Sequence, residues 1–127
     1  MKHKEAEYYE EFSLEGKSII YIDFSHARSD EEFFTAFEKI EHAIAGYPEC
    51  SIYTITNMAG VKIDTLYKDN FIKYGKHNKP YVKKAVIIGL DGVKKMIVAS
   101  IFKTVGRGEF PVAFTKEKAI EWILQQD

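Results

Sequence analysis

The chain has 127 residues, the size of one domain, and its 46% hydrophobic and 29% charged content supplies one core and excludes intrinsic disorder. A single cysteine excludes an intrachain disulfide and a thiol-rich zinc site, and a formal charge of −1 gives no reason to expect nucleic-acid binding. No apolar run approaches the roughly 20 residues of a membrane span, and Met1 to Glu7 lack the apolar stretch of a signal peptide, so a cytoplasmic protein is expected.

The acidic first sixteen residues contain Tyr8, Tyr9, Phe12 and Leu14, which read as a strand, with Glu15-Gly16-Lys17 as a turn into the next one. The segment is expected to be an edge strand or partly mobile. Residues 18–24 (SIIYIDF) form a β-branched and aromatic run. Ile20, Ile22 and Phe24 alternate onto one face, Ile19 and Tyr21 onto the other. Apolar character on both sides places this strand in a covered sheet. The period then changes. Ser29 is expected to accept from a helix amide and Glu32 to reach back to it, as a capping box does. Phe33, Phe37, Ile40 and Ile44 follow at helical spacing, Phe34 widens the stripe, and Gly46 and Pro48 end the helix.

Residues 50–56 (CSIYTIT) are the next expected strand, broken by Asn57-Met58-Ala59-Gly60. Asp64 is placed to cap a second helix with Tyr67, Phe71 and Tyr74 on one face. That helix runs out near Gly75 to Asn78, with Pro80 as the stop. Residues 85–89 (AVIIG) have the pattern of a central strand buried on both faces. After the turn Gly89-Leu90-Asp91-Gly92, the residues Val93, Met96, Ile97, Ser100 and Ile101 mark a third helix, ending before Gly106. Residues 110–114 are a last strand, and Pro111, which has no N–H for a ladder, puts it at an edge. Thr115 caps a final helix with Ala119, Ile120, Ile123 and Leu124 inward. Strands joined by helices imply right-handed crossovers. The expected fold class is α/β, one domain over residues 1–127 with a mixed, mainly parallel sheet and about four helices.

No phosphate loop, dinucleotide fingerprint, HExxH or GxSxG motif is present. The chain is therefore expected not to be an enzyme, with no cofactor and no metal. His3, His26, His42 and His77 show no ligand spacing. Asp23, Ser25 and His26 have the composition of a triad, but neighbouring residues of an extended chain point to opposite faces and are not expected to converge. Cys50 lacks an identifiable base and reads as a structural thiol. Parallel sheets gather ligands beyond their strand ends, which here present Asn57, Gly60, Gly89, Asp91 and Gly92. Amides opening the third helix could meet an anion there, but Asp91 is itself an anion placed to cap it.

Charge is unevenly spread. Residues 1–49 hold five basic and twelve acidic side chains, and residues 62–107 hold eleven basic and three acidic. The basic half carries Lys76, Lys79, Lys83 and Lys84 around Pro80, and Arg107 after the third helix. Dispersal over several solvated faces is the first expectation, and Lys83, Lys84 and Arg107 are the candidate surface for a partner or an anionic ligand if the basic residues converge.

An ordered set of segments resembles the SpoIIAA-like branch of the STAS group over residues 18–124. It comprises Thr56-Asn57-Met58-Ala59-Gly60-Val61 before an Asp64-led helix, His77-Asn78-Lys79-Pro80-Tyr81-Val82, Gly89-Leu90-Asp91-Gly92-Val93-Lys94-Lys95, Gly106-Arg107, Phe114-Thr115 and Glu121-Trp122. The resemblance implies a mixed sheet with helices, no catalysis, and control by a partner kinase that phosphorylates a Ser or Thr behind an Asp at a helix start. The matching position is Thr65, behind Asp64. The chain reads Asp64-Thr65-Leu66-Tyr67 where the family carries small residues. The comparison of this fold group with CRAL-TRIO-type lipid carriers implies an apolar ligand.

The expected function is a non-enzymatic regulatory or interaction domain acting through a protein partner or small ligand. The alternative is a carrier of an apolar, lipid-like ligand, and a third is an enzyme with a dispersed site. A connected apolar cavity favours the carrier, titratable groups converging at strand ends favour the enzyme, and a filled core with an exposed apolar patch favours the interaction domain.

Overall fold

A computed structural model describes residues 4–61, 65–108 and 110–126. Among them six strands, β1 (Lys4–Glu5), β2 (Tyr9–Leu14), β3 (Lys17–Asp23), β4 (Ile52–Asn57), β5 (Val82–Ile88) and β6 (Val112–Ala113), join one sheet in chain order. Four helices accompany them: α1 (Asp30–Ile44), α2 (Thr65–Asn78), α3 (Gly92–Val105) and α4 (Lys116–Leu124). The pairs from β1 to β3 are antiparallel and those from β3 to β6 parallel, so the sheet is mixed, as expected. No helix among the described residues is long and apolar enough to cross a membrane.

Alternation in β3 divides the core in two. Ile20, Ile22 and, beyond the strand, Phe24 join the core under α1, α2 and α3. Ile19 and Tyr21 join the smaller core under α4, where Ala119 and Ile123 pack. The strand at the centre is β4, flanked by β3 and β5 and buried from Ile52 through Thr56. This corrects the expectation for residues 85–89. Their strand is next to the edge, because the short β6 pairs only with Ile87 and Ile88. It also starts earlier, at Val82, which takes Lys83 and Lys84 out of the expected loop and into β5. Val86 and Ile88 face the smaller core and Ile87 the larger one, so the strand is buried on both sides where it was expected to be. Pro111 does precede an edge strand, and its carbonyl accepts from Ile87 N–H.

The helices follow their apolar stripes with local corrections. Ser29 accepts from Glu32 N–H at 3.2 Å, but the Glu32 carboxylate takes the N–H of Arg28, one residue earlier than a standard box. Phe34 falls just outside the buried stripe and is exposed. α1 ends at Ala45 in right-handed conformation, ahead of Gly46. α2 ends at Asn78, within the expected Gly75 to Asn78 stretch, and Gly75 lies in its last turn, where a Cβ would stand 2.9 Å from Val105 Cγ2. The glycine lets α2 and α3 approach. In α3 the buried residues are Val98, Ile101 and Val105, while Val93 and Met96 are 71% and 74% exposed. The reason is Lys94, which turns inward on that stripe and donates from Nζ to the Met58 carbonyl at 2.8 Å. Cys50 does not open β4. It is exposed in the turn before the strand, with φ at +53°.

Val86 is fully buried against the α4 core. Val86→Asp places a charge there without a partner and is expected to cost several kcal/mol, on the order of 10 °C or more in Tm for a domain of this size. Thermal unfolding checks this; a melting point within about a degree of wild type contradicts the assignment of β5.

Candidate functional site

The carboxyl ends of β4 and β5 do bring Asn57, Gly89 and Asp91 together, but their polar groups are spent on closing the structure. Gly89 holds φ at +81°, and a Cβ there would lie 2.5 Å from the Ala59 nitrogen, so only glycine fits. Asn57 Oδ1 accepts from Ala59 N–H at 2.9 Å, and its Nδ2 donates to the Tyr21 hydroxyl at 3.2 Å. Asp91 accepts from Lys94 N–H at 2.8 Å and so occupies the start of α3, as its capping position implies. Gly60 is exposed in the turn after β4, and Gly92 is the exposed first residue of α3.

Asp23, Ser25 and His26 converge, contrary to expectation, because the chain leaves β3 at Asp23 and strand alternation ends there. The amide and hydroxyl of Ser25 both donate to Asp23 Oδ1, and the exposed His26 imidazole lies 3.9 Å from Oδ2. The hydroxyl is committed to the carboxylate rather than to the imidazole. This is the geometry of a side-chain-capped turn, not of an activated nucleophile.

The basic residues divide between the two faces of the sheet. Lys83 holds its ammonium 5.9 Å from the Tyr53 ring, which belongs to the α4 core. Arg107 lies on the opposite face, and Lys94 lies at the far end of β5. Lys83, Lys84 and Arg107 therefore do not share one surface. Thr65 opens α2, and Asp64 lies outside the described residues.

A different feature stands out between α2, α3 and the sheet: an apolar cavity of about 100 Å³. Ile22, Thr54, Thr56, Ala85 and Ile87 form its floor, Phe71 and Tyr74 one wall, and Val98, Ile101, Phe102 and Val105 the other. The space exists because the floor carries Thr54, Thr56 and Ala85 where neighbouring strand positions carry Ile or Val, and because Gly75 in the wall has no side chain. Asn78, Lys79, Val82 and Arg107 close one end. Lys79 is exposed and Arg107 half-buried, so the charged end is the one that meets solvent.

Local geometry positions Arg107. α3 ends with Gly106 at φ +92°, whose N–H donates to Lys103, while Arg107 N–H donates to Phe102. These are the two bonds of a Schellman motif. The turn sends the guanidinium back, so that Nη2 donates to the carbonyls of Lys79 at 2.9 Å and Val82 at 2.6 Å. Burial lowers the pKa of Arg107, and the nearby Cys50 thiol works in the opposite direction. The Tyr74 hydroxyl is buried next to the Asn78 side chain and makes no hydrogen bond of standard geometry among the described residues. Burial pushes its phenol well above the usual range, with Asn78 opposing. Reading Gly75 only as a helix-ending residue, as its sequence position invites, hides this cavity. The legible signal is the row of small residues in otherwise Ile- and Val-rich strands.

The crystal structure of an uncharacterized DUF3478-family protein with a SpoIIAA-like fold, from Shewanella loihica PV-4, matches the chain with a TM-score of 0.62. Identity is 16%, over 96% of this chain and 95% of that one. The chain has a SpoIIAA-like fold, as the resemblance implied. No family model matches it. No curated protein matches it at a significant level.

Tyr74→Phe removes this poorly bonded buried hydroxyl and keeps the ring. It is expected to raise stability by about 1 kcal/mol, the lower range of what an unsatisfied buried group costs. Urea unfolding checks this, and a loss of similar size would mean that the hydroxyl is bonded in solution.

Proposed function

We propose that the protein is a non-catalytic binding domain that takes a small apolar molecule into the cavity between α2, α3 and the sheet. The cavity is the observation that carries this reading. Protein interiors are close-packed, and a volume of about 100 Å³ lined almost wholly by apolar side chains is unfilled here. A molecule that fills it gains packing contacts with that lining. An enclosed apolar cavity of about 150 Å³, half as large again, takes up benzene. The polar groups at the strand ends, already bonded to one another, give less support to a catalytic role.

Regulation through a protein partner is a second reading. It is supported by the SpoIIAA-like fold and by the exposed Val93 and Met96 on α3. The two readings are compatible, since α3 both walls the cavity and presents those side chains. Titration of 15N-labelled protein with toluene is expected to shift amide resonances of cavity-lining residues. Ala85→Leu, which fills the floor, is expected to reduce those shifts at least fivefold. Shifts that are absent, or unchanged in Ala85→Leu, would remove the cavity as the binding site.

A further inference from the structure

The charged end of the cavity specifies what kind of molecule fits. A guanidinium has five N–H donors. Arg107 spends two of them, both on Nη2, on the carbonyls of Lys79 and Val82. Nη1 and Nε, with the other three, have no protein acceptor among the described residues. Lys79 lines the same end of the cavity, and its Nζ lies against Gly106, where a Cβ would stand 2.7 Å from it. Among the described residues no carboxylate lies within ion-pair distance of either cation. Three lysines on other surfaces do have carboxylate partners, Lys39 with Glu7 at 3.4 Å, Lys116 with Glu10 at 2.6 Å and Lys118 with Glu121 at 3.3 Å. Two cations at one end of an apolar cavity, one of them half-buried, favour an anion there.

We propose that the molecule held in the cavity is a small amphipathic carboxylic acid. Its compact apolar body, about the size of a benzene ring, lies between α2 and α3, and its carboxylate meets Arg107 with Lys79 alongside. The proposal rests on the reading of the cavity as a ligand site. A carboxylate fits this end better than a phosphate monoester. α2 and α3 both bring their C-termini here, and the negative ends of their dipoles disfavour a dianion. The start of α3, which would suit phosphate, is at the other end and already holds Asp91.

The test is NMR titration with phenylacetate and its neutral analogue phenylacetamide, in wild type, Arg107→Gln and Lys79→Gln. In wild type phenylacetate is expected to bind at least about tenfold more tightly than the amide. Arg107→Gln is expected to bring the acid down to the level of the amide and leave the amide unchanged. Lys79→Gln, which keeps the backbone bonds of Arg107, is expected to weaken the acid by a smaller factor. It carries the test if Arg107→Gln loses its dispersed spectrum. Equal binding of acid and amide in wild type overturns the anionic head while leaving the cavity site standing. Inorganic phosphate shifting the Arg107 resonances as strongly as phenylacetate overturns it too. Failure of both probes with toluene still bound also overturns it, whereas failure of all three removes the cavity reading itself.

Discussion

The aromatic contact set around Phe24 is the constraint on which the three-helix face depends. Phe24 stands just past β3, fully buried, and its ring meets Phe33 and Phe37 of α1 and Phe71 and Tyr74 of α2. The contact with Phe71 is edge-to-face, at 5.5 Å and 90°, and Phe37 meets Phe71 at 5.0 Å and 80°. Such pairs add about 0.5–1.5 kcal/mol each beyond the area they bury. One residue just past β3 thus packs against two helices at once, through directional contacts.

The cavity begins where that packing ends. Tyr74 is the last ring of the set and the first wall of the open space. Beyond it the α2–α3 contact depends on Gly75 against Val105, a close approach of backbone to a branched side chain. The floor beneath is Thr54, Thr56 and Ala85, too short to reach up. The aromatic cluster keeps α2 from settling onto this floor, so the void is held open by good packing next to it.

Parallel sheets usually place their sites beyond the carboxyl ends of the strands. Here that end is sealed by Gly89 against Ala59, by the Asn57 side chain, and by Lys94 reaching Met58. The charged opening is at the opposite end of β5, where α2 and α3 finish. On the far face α4 packs Ala119 and Ile123 against the second core, and Lys116 lies 4.5 Å over the Tyr21 ring while paired to Glu10. Beside that pair, Glu10, Tyr21, Asp23 and Lys116 line a shallow polar pocket.

Much of the fold was legible in the residues because its determinants are local. Two-faced alternation in β3, the stripe from Phe33 to Ile44, the caps at Ser29, Asp91 and Thr115, and the edge position imposed by Pro111 each depend on a few neighbouring residues. The resemblance over residues 18–124 pointed to the fold that the structure has. The candidate site was not legible in this way. Its floor, walls and charged end come from the sheet, two helices and two turns, and Lys79 and Arg107 meet across 28 positions of chain. Lys83 and Lys84 look like their companions in sequence, yet strand pairing carries Lys83 to the opposite face. Sequence periodicity determines which side of an element is apolar. Whether that side is filled, and by what, depends on the volumes that several elements bring to one place, and only the tertiary structure decides it.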